Sequence, residues 1–190
     1  MIERESALIV IDVQNEFVDD LPEEMQGQQV VENARKVLQS FRKMGVPIIH
    51  FREMHRKNHV DFGRELDGTE KVHAVEGTKA ADYYAGMEPL EEEYQIVKRR
   101  YSGFFATDLN ILLQGLGVKR LYIIGLLTDV CVHYTCADAH QYDYYIKVIK
   151  EAVGGSSLEA HQAALNAIRY LQSESVISLS LIHISEPTRH

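Results

Sequence analysis

Short apolar segments that alternate with helical patterns constrain the fold of this 190-residue chain more than any other feature. Most of these segments are apolar throughout, which is typical of strands buried on both faces of a parallel sheet. We interpret six as strands, at residues 7–11, 46–51, 94–97, 121–124, 145–149 and 175–179. Strand followed by helix, repeated along the chain, predicts an α/β fold with a doubly wound parallel sheet.

Amphipathic periodicity places helices between most of these strands. Apolar residues recur at helical spacing in two series, which are Val30, Val31, Ala34, Val37, Leu38, Phe41 and Met44, and then Leu109, Leu112, Leu113 and Leu116. A third helix is expected to begin near Thr128. A fourth is expected near Ser156, because Glu159 three residues later would complete a capping box.

The gap between the second and third strands, residues 52–93, carries many charges, three histidines and several glycines with little periodicity. A long segment of this kind is usually a functional loop or lid. No repeat or linker divides the chain, so one domain is expected over residues 1–178. Residues 179–190 resemble the conceptual translation of a transposase sequencing adapter, which predicts a non-native tail and a gene assembled from environmental reads.

Composition disfavours several classes of partner. The 28 acidic residues outnumber the 20 basic ones, and the net charge of −8 makes nucleic acids and anionic membranes poor partners. No apolar run could span a bilayer and the first residues do not resemble a signal peptide, which predicts a cytoplasmic protein. Cys131 and Cys136 would lie on different faces of a helix, so no disulfide is expected.

Three polar side chains follow strands of the predicted sheet. Asp12 comes directly after the first strand, Lys98 after the third, and the loop after the fourth leads into Cys131. Ligands of open parallel sheets bind at the carboxyl ends of the strands, so these groups are expected to meet at one rim. A carboxylate, an amine and a thiol together favour nucleophilic catalysis. Neither G-x-x-x-x-G-K-[ST] nor G-x-G-x-x-G occurs, which disfavours nucleotide binding.

The segments around these residues resemble the three signature blocks of isochorismatase-like cysteine hydrolases. The blocks are Val10-Ile-Asp12-Val-Gln-Asn-Glu-Phe17, Val97-Lys98-Arg-Arg-Tyr-Ser-Gly-Phe-Phe105 and Gly125-Leu-Leu-Thr128-Asp-Val-Cys131-Val132. They occur in the family's order, and the resemblance covers residues 7–179. It implies a three-layer α/β/α fold with a six-stranded parallel sheet, and a catalytic triad of Asp12, Lys98 and Cys131.

The resemblance also implies a course for the chemistry. The thiolate of Cys131 would attack an amide carbonyl, with Asp12 accepting and later returning the proton. A cis peptide bond between Leu126 and Leu127 is implied, with the N–H groups of Leu127 and Cys131 forming an oxyanion hole. We expect the helix N-terminus and Lys98 to lower the pKa of the Cys131 thiol. This route requires no cofactor.

Other residues near the triad are candidates for a substrate pocket or a metal site. The pocket candidates are Gln14, Phe17, Tyr101 and Phe104, with Arg100 and Phe105 as further possibilities. Glu53, His55, His59 and His73 are similar to the metal region of nicotinamidases, where Glu53 replaces an Asp of that family. Because metal geometry tolerates little displacement of a carboxylate, no residue is assigned to a metal.

Several functions stay open on the sequence alone. The block around Lys98 is more similar to members that act on ureido or biuret-type compounds, which favours a small linear amide or ureido substrate. A nicotinamidase with a bound divalent metal is one alternative, and a non-catalytic binding or assembly module of the same fold is another. The presence of Cys131 disfavours the vinyl-ether hydrolysis of true isochorismatases. The resemblance also implies a homodimer or homotetramer.

Overall fold

The computed structural model describes residues 5–183. Its elements in chain order are β1 (Ser6–Ile11), α1 (Asn15–Asp19), α2 (Gly27–Met44), β2 (Ile48–Glu53), β3 (Tyr94–Lys98), α3 (Leu109–Gly115), β4 (Arg120–Leu126), α4 (His133–Gln141), β5 (Tyr145–Gly154), α5 (Leu158–Leu171), β6 (Val176–Ile177) and α6 (Ser180–His183). A π-helical turn, Thr128–Val132, runs directly into α4.

The six strands form one parallel sheet in the order β3-β2-β1-β4-β5-β6. The chain builds outward from β1 to β3 on one side, then returns to β4 and builds outward on the other. Ile9 at the centre of β1 is in register with Ile49 of β2 and Ile123 of β4. The strand order therefore reverses beside β1, and the crevice at such a reversal is where these sheets bind ligands. The predicted doubly wound parallel sheet is confirmed.

Helices cover both faces of the sheet, which explains why the central strands are apolar throughout. In β1, Leu8 and Val10 point towards α2, whereas Ala7, Ile9 and Ile11 point towards α3, α4 and α5. All five side chains are buried. The core thus has two apolar layers with the sheet between them, and the three-layer α/β/α architecture is the observed one.

Two local expectations are corrected by the structure. β3 is an edge strand, so its Tyr94 and Val97 side chains are exposed rather than buried on both faces. The N-cap of α5 is Ser157, whose hydroxyl accepts a hydrogen bond from the Ala160 N–H. The predicted cap, Ser156, instead donates its hydroxyl to another part of the fold, as described below.

The segment between β2 and β3, residues 54–93, is called the excursion below. It folds over the carboxyl ends of the strands through a bridge between Gln14 and Tyr83. The Glu16 carboxylate also accepts a hydrogen bond from the Ala74 N–H at 2.8 Å. The excursion therefore packs against the chain that leaves β1, above the reversal of strand order.

The C-terminal residues that the structure describes belong to the packed fold. Ile182 of α6 is buried on the α2 face of the sheet. The predicted non-native tail of residues 179–190 thus begins within packed structure, and its part from residue 184 onward lies outside the described residues. Cys131 and Cys136 are both free thiols. In residues 5–183, no helix has the length and apolar character that a membrane crossing requires.

Candidate active site

Asp12, Lys98 and Cys131 meet at the carboxyl ends of the strands and are called the strand-end cluster below. Asp12 follows β1, Lys98 ends β3, and Cys131 lies in the π-helical turn after β4. The Lys98 Nζ lies 2.6 Å from the Asp12 Oδ2 and 3.4 Å from the Cys131 Sγ. All three side chains are buried. The structure therefore brings together the three residues that the sequence analysis expected to meet at one rim.

The chain after β4 is shaped by one glycine. Gly125 has a φ of +124°, and a Cβ there would lie 2.0 Å from the carbonyl oxygen of Ile11. Only glycine therefore allows β4 to approach β1 so closely. The peptide bond that follows, Leu126–Leu127, is cis. The turn carrying Cys131 is π-helical, a rare geometry that is frequent at functional sites.

Glu53 was considered in the sequence analysis only as a possible metal ligand, yet its carboxylate joins the strand-end cluster. Its Oε2 lies 2.7 Å from the Lys98 Nζ and 3.7 Å from the Cys131 Sγ. Its Oε1 lies 2.9 Å from the His73 Nε2 and 3.2 Å from the His55 Nε2. Glu53 ends β2, so the strand-end rule that selected Asp12 and Lys98 was the signal that could have found it.

The cysteine is protonated in this geometry, contrary to the expectation of a lowered thiol pKa. Burial raises the pKa of Cys131 well above its usual value, and the charges of Asp12 and Glu53 add to the rise while Lys98 opposes it. Burial also raises the pKa of Asp12 to about 6, against the opposing charge of Lys98. The site at rest therefore combines a neutral thiol with a carboxylate whose proton affinity is unusually high.

The remaining charges of the site are held by mutual contacts. Although burial alone lowers the pKa of Lys98, the charges around it, with Asp12 first, raise that pKa well above its usual value. Burial raises the pKa of Glu53, but the Lys98 charge and hydrogen bonds from His55 and His73 bring it well below its ordinary range. Lys98 is thus a fixed cation, and Glu53 a fixed anion beside it.

A cavity of about 170 Å³ opens onto the strand-end cluster. Apolar side chains form most of its wall, namely Phe17, Tyr101, Leu126, Leu127 and Val130. Asp20 and Lys71 also line it, and they form an exposed ion pair of 2.7 Å. The cavity therefore has a charged base, apolar sides and a polar mouth. Of the four pocket residues expected from the sequence, it includes Phe17 and Tyr101.

The other expected pocket residues lie elsewhere. The buried Gln14 amide donates to the carbonyl oxygens of Glu53 and Ala81, both at 2.8 Å, so it fixes the excursion to β2 instead of facing substrate. Phe104 is buried in the core and its ring stacks on Tyr142, with centroids 5.2 Å apart. The pocket assignments of Gln14 and Phe104 are therefore wrong, because both side chains are occupied by interactions within the protein.

The two further candidates also face away from the cavity. Phe105 is 59% exposed at the surface and does not line the cavity. The Arg100 guanidinium donates to the carbonyl oxygen of Asp61 and holds one end of the excursion. Arg100 therefore supports the fold around the site without contacting the space available to a substrate.

A second group, called the excursion cluster below, consists of His55, Glu65 and His73. Together with Glu53 they offer metal-ligand atoms that all lie within 4.8 Å of one another. His59, the remaining candidate from the sequence, is exposed and outside this group. Glu65 was missed because it lies in an aperiodic segment, where no sequence pattern distinguishes it from other charges.

The chemistry of these four residues suits a divalent cation. Both carboxylate oxygens of Glu65 are buried without a hydrogen-bond partner, although they lie 3.5 Å from the His55 Nε2 and 3.9 Å from the His73 Nε2. Burial alone lowers the pKa of His73, but its hydrogen bond to Glu53 and further contacts raise that pKa to about 9. Two imidazoles and two carboxylates are ordinary zinc and transition-metal ligands.

Comparison with known proteins follows from this geometry. Residues 6–179 match the family model described as the isochorismatase domain. A probable inactive nicotinamidase of Arabidopsis thaliana is 33% identical over 98% of this chain and 94% of its own length. A ureidoacrylate amidohydrolase of Agrobacterium fabrum is 28% identical over 78% of this chain and 75% of its own length.

A solved structure gives the same result. The pyrazinamidase of Pyrococcus horikoshii, crystallised in complex with zinc, is 31% identical and superposes with a TM-score of 0.79, covering 92% of this chain and 99% of its own. Its match extends over the sheet, its helices and the cavity at the strand ends. Because the domain model also spans nearly all of the described residues, the chain belongs to the isochorismatase family.

Proposed function

We propose that this chain hydrolyses a C–N amide or ureido bond of a small molecule through a thioester on Cys131, releasing ammonia or an amine. One observation carries the proposal. The Lys98 Nζ lies 2.6 Å from the Asp12 carboxylate and 3.4 Å from the Cys131 thiol, beside a cavity of substrate size. A nucleophile, a proton acceptor and a fixed cation in mutual contact are the groups that acyl transfer requires.

Asp12 moves the proton in the proposed reaction. Its pKa of about 6 leaves it mostly ionised near neutral pH, so it can accept the thiol proton as Sγ bonds to the substrate carbonyl carbon. The resulting oxyanion collapses and the C–N bond breaks as Asp12 returns the proton to the leaving nitrogen. Water then attacks the thioester and gives a proton to Asp12, and that proton returns to sulfur as the acid product forms.

Lys98 and the turn after β4 stabilise charge during these steps. Because the Cys131 thiol is neutral at rest, its sulfur is ionised only as substrate is attacked, and the protonated Lys98 amine lies 3.4 Å away to stabilise it. We assign the N–H groups of Leu127 and Cys131 to the oxyanion hole. The thioester route uses only groups of this chain, so we propose that it requires no cofactor.

The cavity suits a primary amide or a ureido group. Its volume of about 170 Å³ is that of a small ligand, and apolar side chains form most of its wall. The carboxylates of Asp12 and Glu53 line its base and can accept hydrogen bonds from the N–H groups of such a substrate. A linear amide or ureido compound is therefore our first choice of substrate class.

A nicotinamidase activity is the second candidate, and the excursion cluster is the observation that favours it. His55, Glu65 and His73 would hold a divalent ion together with Glu53. When bound, such an ion would supply a Lewis acid that fixes a pyridine nitrogen of the substrate. Phe17 and Tyr101 line the cavity and can contact an aromatic ring on its apolar side.

The remaining assignments are part of the same proposal. The negative charge of −8 supports a protein that works without nucleic acid or anionic membranes as partners. Family resemblance supports a homodimer or homotetramer located in the cytoplasm. A non-catalytic binding or assembly module is the competing proposal, since one relative is named as a probable inactive nicotinamidase.

Ammonia release from a panel of small amides tests the proposal. The panel contains biuret, N-carbamoyl compounds and nicotinamide, each with and without added zinc. Cys131→Ser should lower turnover by at least roughly a thousandfold, because an alcohol without an adapted base is a poor nucleophile. The thermal unfolding curve should change little, since the substitution exchanges two side chains of similar size.

Cys136→Ala is the matched control, because Cys136 is also buried but lies in the core outside the cavity. It should keep the turnover of the unmodified chain. Iodoacetamide should label Cys131 faster than Cys136 and abolish turnover. Equal slow labelling of both thiols with no turnover on any amide would instead support the binding module, and undiminished turnover by Cys131→Ser would overturn the thioester mechanism.

A further inference from the structure

A buried histidine outside the proposed reaction contacts the turn that carries the nucleophile. His161, in the first turn of α5, has its Nδ1 2.8 Å from the hydroxyl oxygen of Thr128. Thr128 is fully buried, and His161 is 9% exposed. Thr128 is the first residue of the π-helical turn, three residues before Cys131. The contact therefore joins α5 to the backbone on which Leu127 and Cys131 lie.

A second set of contacts holds the same two parts together. The Asp129 carboxylate accepts hydrogen bonds from the Ser156 N–H at 2.8 Å and from the Ser156 hydroxyl at 2.6 Å. Between them, Gly155 provides the space. A Cβ at Gly155 would lie 2.7 Å from the His161 Cβ and 2.8 Å from Asp129 Oδ1. The start of α5 is thus packed directly against residues 126–132, which are called the oxyanion turn below.

The histidine is suited to accept a hydrogen bond from the threonine. Burial lowers the pKa of His161, and the charge of Asp129 opposes this only in part. The ring is therefore neutral near neutral pH, so its Nδ1 can accept the proton of the Thr128 hydroxyl. A neutral acceptor with a fixed ring fixes the rotamer of Thr128, and with it the backbone of the oxyanion turn.

We infer that His161 is a positioning residue, which through Thr128 holds the oxyanion turn so that the Leu127 N–H, the Cys131 N–H and the Cys131 sulfur face one point in the cavity. This inference rests on the proposed function. The Leu127 carbonyl accepts the N–H groups of Val130 and Val132, both at 3.1 Å, so the turn moves as one unit. A shift at Thr128 therefore displaces the oxyanion donors and the nucleophile together.

Paired substitutions at Thr128 test the role of its hydroxyl. Thr128→Val keeps the shape of the side chain and removes the donor, whereas Thr128→Ser keeps the donor. We expect Thr128→Val to lower kcat by roughly 10- to 100-fold with KM unchanged within about threefold, because misplaced oxyanion donors act on the transition state. Thr128→Ser should restore kcat to within about threefold of the unmodified chain.

Paired substitutions at His161 test the acceptor. Asn places a side-chain oxygen near the position of Nδ1, so His161→Asn should keep most of kcat, whereas His161→Leu should lose as much as Thr128→Val. The double variant Thr128→Val with His161→Leu should lose no more than the worse of the two single variants, since both remove one hydrogen bond. Losses that multiply, or a kcat unchanged in Thr128→Val, would overturn the inference.

Hydrogen–deuterium exchange separates this inference from the proposed function. If the unmodified chain hydrolyses no amide, the proposed function fails, and exchange in peptides covering the oxyanion turn still reports on positioning. Thr128→Val and His161→Leu should exchange faster there than Thr128→Ser and His161→Asn, with exchange in β1 unchanged. Equal exchange in all four variants would overturn the positioning role, and the exchange of β1 would reveal any variant that fails to fold.

Discussion

The strand-end cluster and the excursion cluster meet at Glu53, yet they are held in different ways. The strand-end cluster comes from residues at or just after three parallel strands, so the sheet's hydrogen bonds fix the backbone of each member. The excursion cluster comes from a segment whose only regular structure is two one-turn helices, Glu65–Asp67 and Lys79–Ala81. One cluster is therefore held by the fold itself, and the other by contacts among side chains.

Side-chain contacts replace the sheet in the excursion. Arg99 Nε lies 2.8 Å from the Asp61 carboxylate, and the rings of His55 and Phe62 stack with centroids 3.8 Å apart. At the far end, Arg42 Nε lies 2.6 Å from the Glu93 carboxylate. Such contacts depend on the ionisation of their partners, whereas ladder hydrogen bonds do not. The two clusters should therefore respond differently to substitution, to metal ions and to acid.

Lys98→Met should have the largest effect, because Lys98 is the cation on which both Asp12 and Glu53 depend. It would leave two buried carboxylates close together without their counter-charge. Removing one partner of a buried ion pair costs about 3 to 5 kcal/mol of unfolding free energy. Turnover should also be lost, since no cation would remain beside the Cys131 sulfur. Urea unfolding and ammonia release measure the two effects.

The control for this substitution is Lys119→Met, which removes the same group at the surface. The Lys119 Nζ lies 2.7 Å from the Glu5 carboxylate, but the Lys119 side chain is 66% exposed. An exposed pair contributes about 0 to 1 kcal/mol, so its loss should barely change unfolding or turnover. Equal effects of the two substitutions would show that burial of the strand-end cluster has no special energetic role.

Divalent metal binding should separate the excursion cluster from its sequence neighbour His59. His73→Ala should weaken binding of Co²⁺, followed by its visible absorption, by at least roughly tenfold, because a ligand is removed. His59→Ala should leave the affinity unchanged, since His59 is exposed and outside the group of ligand atoms. Equal weakening by the two substitutions, or none by His73→Ala, would contradict the ligand set assigned from the structure.

The sheet and the strand-end cluster are predictable from sequence because both follow from local rules. Apolar strands with intervening helices specify the parallel sheet, and a polar residue at the end of such a strand must lie on the rim. Asp12 and Lys98 satisfy that rule directly. The thiol pKa of Cys131 is different, because it depends on how deeply neighbouring segments bury the sulfur and on which charges lie near it.

The excursion resists prediction for a physical reason. Its residues have no period, so nothing in the sequence tells that Glu65 is buried beside two histidines while His59 is exposed. Gln14 shows the converse, since a polar residue next to the site is used to bind backbone from the excursion. Cap positions also fail by one residue, because Ser156 and Ser157 are chemically identical and only tertiary contacts decide between them.

Glu93 offers the mildest way to sharpen the contrast, because it anchors the end of the excursion through titratable contacts. Its carboxylate accepts both the Nε and an Nη of Arg42, at 2.6 and 2.9 Å, and the Leu90 N–H at 2.9 Å. Burial alone raises the pKa of Glu93, but the hydrogen bond from Arg42 and those from Leu90 and His50 lower it to about 2. The stabilisation from this lowered pKa is complete above pH 4.5, the ordinary value for the carboxyl, and is lost as the pH falls towards 2.

Glu93→Gln should therefore reduce the unfolding free energy by about 1 to 2 kcal/mol near neutral pH, since a charge-assisted pair is lost. The difference from the unmodified chain should shrink as acid protonates Glu93 in the unmodified chain. Hydrogen exchange should show the excursion opening before β1 as the pH falls, because the sheet's ladder bonds do not titrate. Glu91→Gln, at an exposed position two residues earlier, should leave both measurements unchanged. A difference that stays constant down to low pH would mean that the Glu93 contacts contribute through packing and not through charge.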